Sequence, residues 1–125
     1  MGYRLLADAV ALLHLTFILF IPLGGLAVVR WPRLAWLHLG CALWGAVIVF
    51  TDVVCPLTPL EKALRLRAGE PAYEGGFIRH YLVGPLFRDG LPPALGWTLL
   101  AAALVGNGWL YRRAVRHRRE LRSSP

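Results

Sequence analysis

The fold is decided by an apolar run near the start of the chain, LLADAVALLHLTFILFIPLGGLAVV, residues 5–29. Only Asp8, His14 and Thr16 interrupt this run. A helix needs about 20 predominantly apolar residues to cross the hydrocarbon core of a bilayer. The run is too long for the core of a signal peptide, and it lacks a convincing small-x-small cleavage site. We therefore predict a retained membrane-spanning helix.

Two further runs, residues 34–54 and 94–111, have the same character. The 125-residue chain is 57% hydrophobic and only 17% charged, whereas a soluble domain is usually about a quarter charged. The sequence therefore predicts an all-α, polytopic membrane bundle with three transmembrane helices. We place it in a single transmembrane domain over residues 1–111, followed by a basic tail over residues 112–125.

The stretch CPLTPLE, which begins at Cys55, closes the second run. The residue before a proline is disfavoured in the helical region, so we expect Pro56 to end the second span and to leave Cys55 buried at its boundary. Thr58 and Glu61 then occupy the N-cap and N3 positions of a new helix, with a proline at N1, which is the pattern of a capping box. This predicts a surface helix over about residues 58–68.

A second short helical segment is predicted over about residues 76–83. Its apolar positions are interrupted by Arg79 and His80 and are too few to span a bilayer, so we interpret the segment as peripheral or re-entrant. Lys and Arg concentrate on the cytoplasmic side of membrane proteins, and the densest basic cluster, YRRAVRHRRELR, follows the third span. We expect a cytoplasmic C-terminus. If residues 76–87 also cross the membrane, both termini lie inside.

Several side chains with metal-binding or proton-binding chemistry are expected near the face of the membrane opposite the tail. In a helical hairpin joined at residues 30–33, two residues at the same membrane depth have residue numbers that sum to about 63. Cys55 therefore lies level with Asp8. Carboxylate, imidazole and thiol together suit a transition metal or a proton-handling site, although no tight ligand motif is present. The plainer alternative is that the acidic residues lie among wet headgroups and serve only as caps. The candidate set is Asp8, Asp52, Cys55, Glu61, Glu74 and His80.

Polar residues inside the spans suggest a structural pair on the other side of the membrane. Asn107 reaches the depth of His38, and a hydrogen bond between them, with Gly24 and Gly25 allowing close helix approach, would satisfy both. His14 and His38 differ in depth by roughly 16 Å at 1.5 Å per residue. A bis-histidine haem is therefore disfavoured.

The basic tail is expected to bind lipid headgroups and to fix the orientation of the chain, because clusters of this kind next to a span bind anionic lipid. The formal net charge of +7 then needs no nucleic acid to explain it. The residues expected at the headgroups are Arg112, Arg113, Arg116, Arg118, Arg119 and Arg122.

Four stretches in this order and spacing resemble the small bacterial membrane proteins grouped as domain of unknown function 2784. They are LLHLTFILF, RWPRLAWLHLGCALWG, CPLTPLE and YEGGFIRHYL, and the similarity covers about residues 3–112. The resemblance implies a multi-pass protein of the bacterial inner membrane and implies no activity. Many members carry an acidic residue where this chain has Arg79, so position 79 is a poor metal ligand here.

The sequence favours a non-enzymatic accessory or interaction subunit without a cofactor, because no nucleophile has a base at workable spacing and no phosphate loop is present. Three spans make a poor closed bundle, so a homo-oligomer or a larger membrane complex is expected. The alternative is a metal-, haem- or proton-binding redox or transport component that uses the candidate set. The sequence identifies no substrate, partner or pathway.

Overall fold

A computed structural model describes residues 1–51 and 53–124. These residues form helices and connecting turns, in the following order: α1 (Gly2–Arg30), a 3-10 turn (Pro32–Leu34), α2 (Ala35–Thr51), α3 (Leu57–Arg67), a π-helical turn (Arg79–Val83), α4 (Gly84–Leu86) and α5 (Pro93–Ser123). Three helical stretches are long and apolar enough to cross a membrane: α1, α2 with its preceding turn, and α5. The predicted all-helical fold with three such helices is confirmed.

Several helix ends differ from the sequence-based bounds: α1 begins at Gly2 rather than at residue 5, and the segment predicted over residues 76–83 continues to Leu86. α2 ends at Thr51, three residues before the predicted end, and Val53–Cys55 lie outside any helix. α5 does not stop near residue 111 but continues to Ser123. The basic tail is therefore mostly the final part of the third helix.

The capping prediction for Thr58 and Glu61 is wrong. Pro56 already has helical dihedral angles (φ −57°, ψ −25°), and α3 begins at Leu57 without a side-chain cap. Thr58 thus lies inside the first turn, where its backbone amide donates a 3.0 Å hydrogen bond to the Cys55 carbonyl. The N-cap role requires a non-helical residue, which Thr58 is not.

The described residues group into two compact units. Unit 1 contains residues 1–17 and 47–93, and unit 2 contains residues 18–46 and 94–124. α1 contributes its first half to unit 1 and its second half to unit 2.

In unit 2, side chains from α2 and α5 bind the backbone of α1 around Pro22. A proline inside a helix lacks the N–H group that would bond to the carbonyl four residues earlier, which for Pro22 is that of Ile18, whereas the backbone groups bound by the neighbouring helices lie at residues 21–25. Here His38 Nε2 donates to the Ile21 carbonyl at 2.9 Å. Asn107 Nδ2 donates to the Pro22 carbonyl at 2.7 Å, and Asn107 Oδ1 accepts from the Gly25 amide at 2.9 Å.

The predicted hydrogen bond between His38 and Asn107 is therefore corrected. His38 Nε2 must carry the proton because its partner is a carbonyl, so the other ring nitrogen of a neutral His38 accepts from the Tyr111 hydroxyl at 2.8 Å. Both polar residues bind backbone groups of α1 at residues 21–25 rather than each other.

Two glycines of α1 allow this close approach, as predicted. A Cβ atom at Gly24 would overlap the ring of His38, and a Cβ atom at Gly25 would overlap Asn107 Oδ1. Gly40 of α2 and Gly106 of α5 have nothing within 4 Å of a Cβ added to them. Gly45 of α2 is also closely packed, since a Cβ atom there would lie 2.6 Å from Ile21 Cδ1.

Candidate functional site

The centre of the candidate site is the carboxylate of Glu61, which is fully buried in unit 1. Oε1 accepts hydrogen bonds from Arg65 Nε at 2.9 Å and from the Tyr81 hydroxyl at 2.6 Å. Oε2 accepts from the Tyr73 hydroxyl at 2.9 Å. Burial of a charge is costly unless it is paired and hydrogen-bonded, and these three donors meet that requirement.

Three parts of unit 1 supply the donors. Arg65 lies one turn after Glu61 on α3, which places both side chains on one face of the helix. Tyr73 lies in the loop after α3, and Tyr81 lies in the π-helical turn. Single π-helical turns are rare and are frequently found at functional sites.

Arg65 connects Glu61 to two more carboxylates. Its NH1 atom contacts Glu70 Oε2 at 3.0 Å, and its NH2 atom contacts Asp8 Oδ1 at 3.3 Å. Arg4 also pairs with Glu70, at 3.1 Å from Nε to Oε1. The pairs tie α3 and the loop after it to the start of α1. We call Glu61, Arg65, Tyr73 and Tyr81 the Glu61 cluster.

The cluster alters the acid–base properties of its members. Burial alone would lower the pKa of Arg65, but hydrogen bonds to Glu61 and Glu70 outweigh it and raise that pKa above its ordinary value. Burial and the hydrogen bond to Glu61 raise the pKa of Tyr81 from 10.0 to about 12, and the same causes raise the pKa of Tyr73. Both tyrosines therefore stay protonated donors at neutral pH.

The sequence-predicted residues differ in their contacts with this cluster and in their exposure. Asp8 and Glu61 share Arg65. His80 is exposed, and its ring stacks on Tyr73 with ring centroids 4.1 Å apart. Cys55 is buried, as expected, and Glu74 is exposed.

Asp52 lies outside the described residues. Within residues 1–51 and 53–124, no group of three His, Cys, Asp or Glu side chains is arranged to hold a metal ion.

His14 of α1 is a further buried imidazole of unit 1, with only 3% of its surface exposed. Its ring packs against Phe77, with centroids 4.3 Å apart. Its Nδ1 atom has no hydrogen-bond partner among the residues that the structure describes.

Sequence reasoning did not select Arg65, Glu70 and Tyr81. A signal for the first was present, because Glu61 and Arg65 have the acid-before-base i,i+4 spacing that favours an ion pair on a helix. Tyr81 had no comparable signal, since its approach to Glu61 depends on the π-helical turn.

The cluster is suited to holding structure together. Three hydrogen bonds occupy both oxygens of Glu61, and Arg65 is shared among Glu61, Glu70, Asp8 and the Tyr81 hydroxyl, which accepts from it at 2.9 Å. An open cleft of about 490 Å³ lies beside the cluster. Its wall includes Arg65, Glu70, Tyr73, His80 and Tyr81, so the cluster has one side open to small molecules or protons.

Comparison with known proteins gives one result at the level of family. A family model described as "Protein of Unknown function (DUF2784)" matches residues 4–112. Neither the search of curated proteins nor the search of solved structures gave a match.

Proposed function

The chain belongs to the DUF2784 family, and we propose that it is a small multi-pass membrane protein that acts as a non-enzymatic accessory or interaction subunit. The observation that carries this proposal is the lack of burial of its apolar helices. Each of the three helices has a most apolar stretch of 18 residues. The buried share of that stretch is 22% in α1, 6% in α2 with its preceding turn, and 0% in α5. Such surfaces fit lipid and other transmembrane helices.

Glycines that face open space support association with another helix. Helices in membranes approach closely at small residues, because lipid provides no hydrophobic drive for their association. A Cβ atom at Gly40, Gly106 or Gly108 would meet nothing within 4 Å. These positions leave backbone accessible on α2 and α5, where a second helix could pack.

The Glu61 cluster gives the proposal its second support. In this interpretation the cluster holds α3, the loop after it and the π-helical turn together and, through Arg65 and Glu70, ties them to the first half of α1 within unit 1. The closed set of hydrogen bonds on Glu61 favours such a role over that of a reactive group.

The orientation that we propose has the C-terminus in the cytoplasm. The basic end of α5 contains Arg112, Arg113, Arg116, Arg118, Arg119 and Arg122, and dense basic clusters beside a span stay on the cytoplasmic side. With three spans the N-terminus lies on the other side. A cysteine introduced at Ser124, with Cys41 and Cys55 replaced by serine, should react with an impermeant maleimide only after the cells are opened.

The proposed association is tested by comparing glycine variants. Gly40→Leu and Gly106→Leu add bulk where the chain itself has room, so they should reduce chemical crosslinking to a partner or second copy in native membranes. Gly2→Leu, which also has open space around it but lies at the very start of α1, is the matched control. Unchanged crosslinking in both variants, with normal helical content, would count against association through these faces.

A proton-handling component is the second candidate function, and one observation favours it. Glu61 accepts a hydrogen bond from the Tyr73 hydroxyl, and the Tyr73 ring stacks on the exposed ring of His80. Tyr73 and His80 both line the open cleft beside the cluster. Proteoliposomes with a pH gradient separate the two proposals. Proton flux that is present in the wild type, lost in Glu61→Gln and kept in Glu74→Gln would favour proton handling, and the absence of flux in all three would favour the accessory role.

A further inference from the structure

A second cleft, in unit 2, combines a strongly basic wall with an apolar one. It has a volume of about 840 Å³ and lies between the end of α1 with the turn after it and the basic part of α5. Its basic side carries Arg30, Arg112, Arg113, Arg116 and Arg118. We propose that this cleft binds the headgroup of an anionic phospholipid that carries two phosphate groups.

The position of the cleft along the helices supports a lipid ligand. Arg30 directly follows the apolar run of α1, and the arginines of α5 directly follow its apolar run. Tryptophan is enriched at the level of the headgroups, and Trp109 lines the cleft. The guanidinium carbon of Arg113 lies 5.5 Å from the centroid of the Trp109 ring, so this arginine is held at the border between the two walls.

The two walls together match the two parts of a phospholipid. Leu26 and Val29 of α1 join Trp109 on the apolar side, where the upper part of an acyl chain would pack. Arginine presents a planar fork of N–H donors that fits phosphate oxygens in a bidentate manner. A free phosphate ion would use the basic wall but would leave the apolar wall without a partner.

The charge of the cleft favours two phosphates over one. Five arginines line it, and Glu120 is the acidic residue on its wall. A headgroup with a single negative charge would leave most of this positive charge unmatched. Basic pockets between transmembrane helices bind lipids with several phosphates in the same way.

The test uses two double variants that remove the same charge. Arg30→Gln with Arg113→Gln changes the cleft wall, whereas Arg119→Gln with Arg122→Gln changes arginines of α5 that do not line it. The full chain is titrated with cardiolipin, the two-phosphate probe, in detergent micelles, and bound lipid is counted by native mass spectrometry. Circular dichroism checks that both variants keep the helical content of the wild type.

We expect cardiolipin to bind the wild type and the Arg119/Arg122 variant with equal affinity and the Arg30/Arg113 variant at least tenfold more weakly. Equal losses in the two variants would show diffuse attraction to the basic helix and would overturn the proposal. So would equal binding of phosphatidylglycerol at the same total phosphate, or full displacement of the lipid by millimolar inorganic phosphate. If Arg30→Gln with Arg113→Gln loses helical content, Arg113→Gln alone is compared with Arg119→Gln alone, and the same criteria apply.

Discussion

At the scale of single residues, the buried carboxylate of Glu61 determines how unit 1 is held together. A buried carboxylate that loses its partners is far more costly than one that is paired. Arg65, Tyr73 and Tyr81 come from α3, from a loop and from the π-helical turn, and all three converge on Glu61. The residue therefore joins α3, the loop after it and the π-helical turn.

Glu61→Gln should destabilise the protein by about 1.5–3 kcal/mol, because it removes the buried charge that accepts three hydrogen bonds, while Arg65 keeps Glu70 and Asp8 as ion-pair partners. Glu74→Gln is the matched control, since Glu74 is an exposed carboxylate of the same unit, and it should change stability little. The free energy of unfolding in mixed micelles, measured with increasing SDS, checks both. Equal effects of the two variants would contradict the role given to Glu61.

Stability should fall as the pH rises from about 10 to about 12. Below pH 10 Tyr81 is protonated in both the folded and the unfolded state, so it contributes no dependence on pH. The ordinary pKa of Tyr81 is 10.0, and its pKa in the folded protein is about 12. At a pH between these two values, the unfolded chain releases the Tyr81 proton while the folded chain retains it, which favours unfolding.

Tyr81→Phe should remove part of this alkaline loss, although it also costs about 1–2 kcal/mol at neutral pH through the lost hydrogen bond to a charged group. Unfolding measured in micelles at pH 8, 10 and 11 gives both quantities for the wild type and the variant. An identical alkaline slope in the two proteins would show that Tyr81 does not titrate as stated.

At the scale of helices, the backbone of α1 at residues 21–25 provides hydrogen-bond partners for polar side chains inside apolar segments. His38 and Asn107 bind the backbone of α1 on either side of the proline. Polar bonds between membrane helices contribute modestly, because alternative partners exist in the unfolded state. Their main effect here is to define the positions of α2 and α5 along α1 within unit 2.

Asn107→Ala should destabilise the protein by about 1 kcal/mol, the range found for polar contacts between membrane helices. The Pro22 carbonyl and the Gly25 amide lose their side-chain partner in this variant. Unfolding in SDS is again the measurement, with Thr98→Ala as control because Thr98 bonds only to its own helix at Ala94. A larger effect of Thr98→Ala would contradict the assignment.

Gly24→Ala and Gly40→Ala form a second matched pair. The added methyl group collides with the His38 ring in the first variant and meets nothing within 4 Å in the second. We expect Gly24→Ala to lower the melting temperature and Gly40→Ala to leave it unchanged or to raise it, because alanine favours helix over glycine by about 1 kcal/mol. Equal melting temperatures would show that α2 does not approach α1 so closely.

The helices were predictable from sequence because their signal is the length of an apolar run, which needs no knowledge of contacts. Depth matching also brought His38 and Asn107 to the level of Gly24 and Gly25. The structure places His38 against Gly24 and Asn107 against Gly25. Their exact partners were not predictable, because depth matching does not give the rotation of each helix, which decides which backbone groups a side chain meets. The capping prediction failed because Pro56 starts α3 earlier than the Thr58 pattern suggests.

The candidate site was predictable only in part. Asp8 and Glu61 do share a partner, and both were selected from their expected depth. Arg65 was not among the predicted site residues, although it is the cation that pairs with Asp8, Glu61 and Glu70. Tyr81 depends on the π-helical turn, and a single residue of extra backbone in a helix leaves no clear mark in the sequence.

At the scale of the whole molecule, the main feature is apolar surface that the chain does not cover. Trp36, Phe50 and Val105 are each at least 73% exposed, and open glycines lie on α2 and α5. Apolar patches of this extent mark contact with a membrane or with other proteins. Lipid is sufficient to cover the exposed apolar side chains, whereas the open glycines favour the packing of a second helix against α2 and α5.

The native mass of the protein, extracted from its own membrane in a mild detergent, tests the proposed interaction role most directly. We predict a species heavier than one chain with its bound lipid, either a homo-oligomer or a complex with another membrane protein. The mass should shift towards the single chain in Gly40→Leu with Gly106→Leu. A wild-type protein that is found only as a single chain, at every detergent concentration at which it stays folded, would contradict the interaction role.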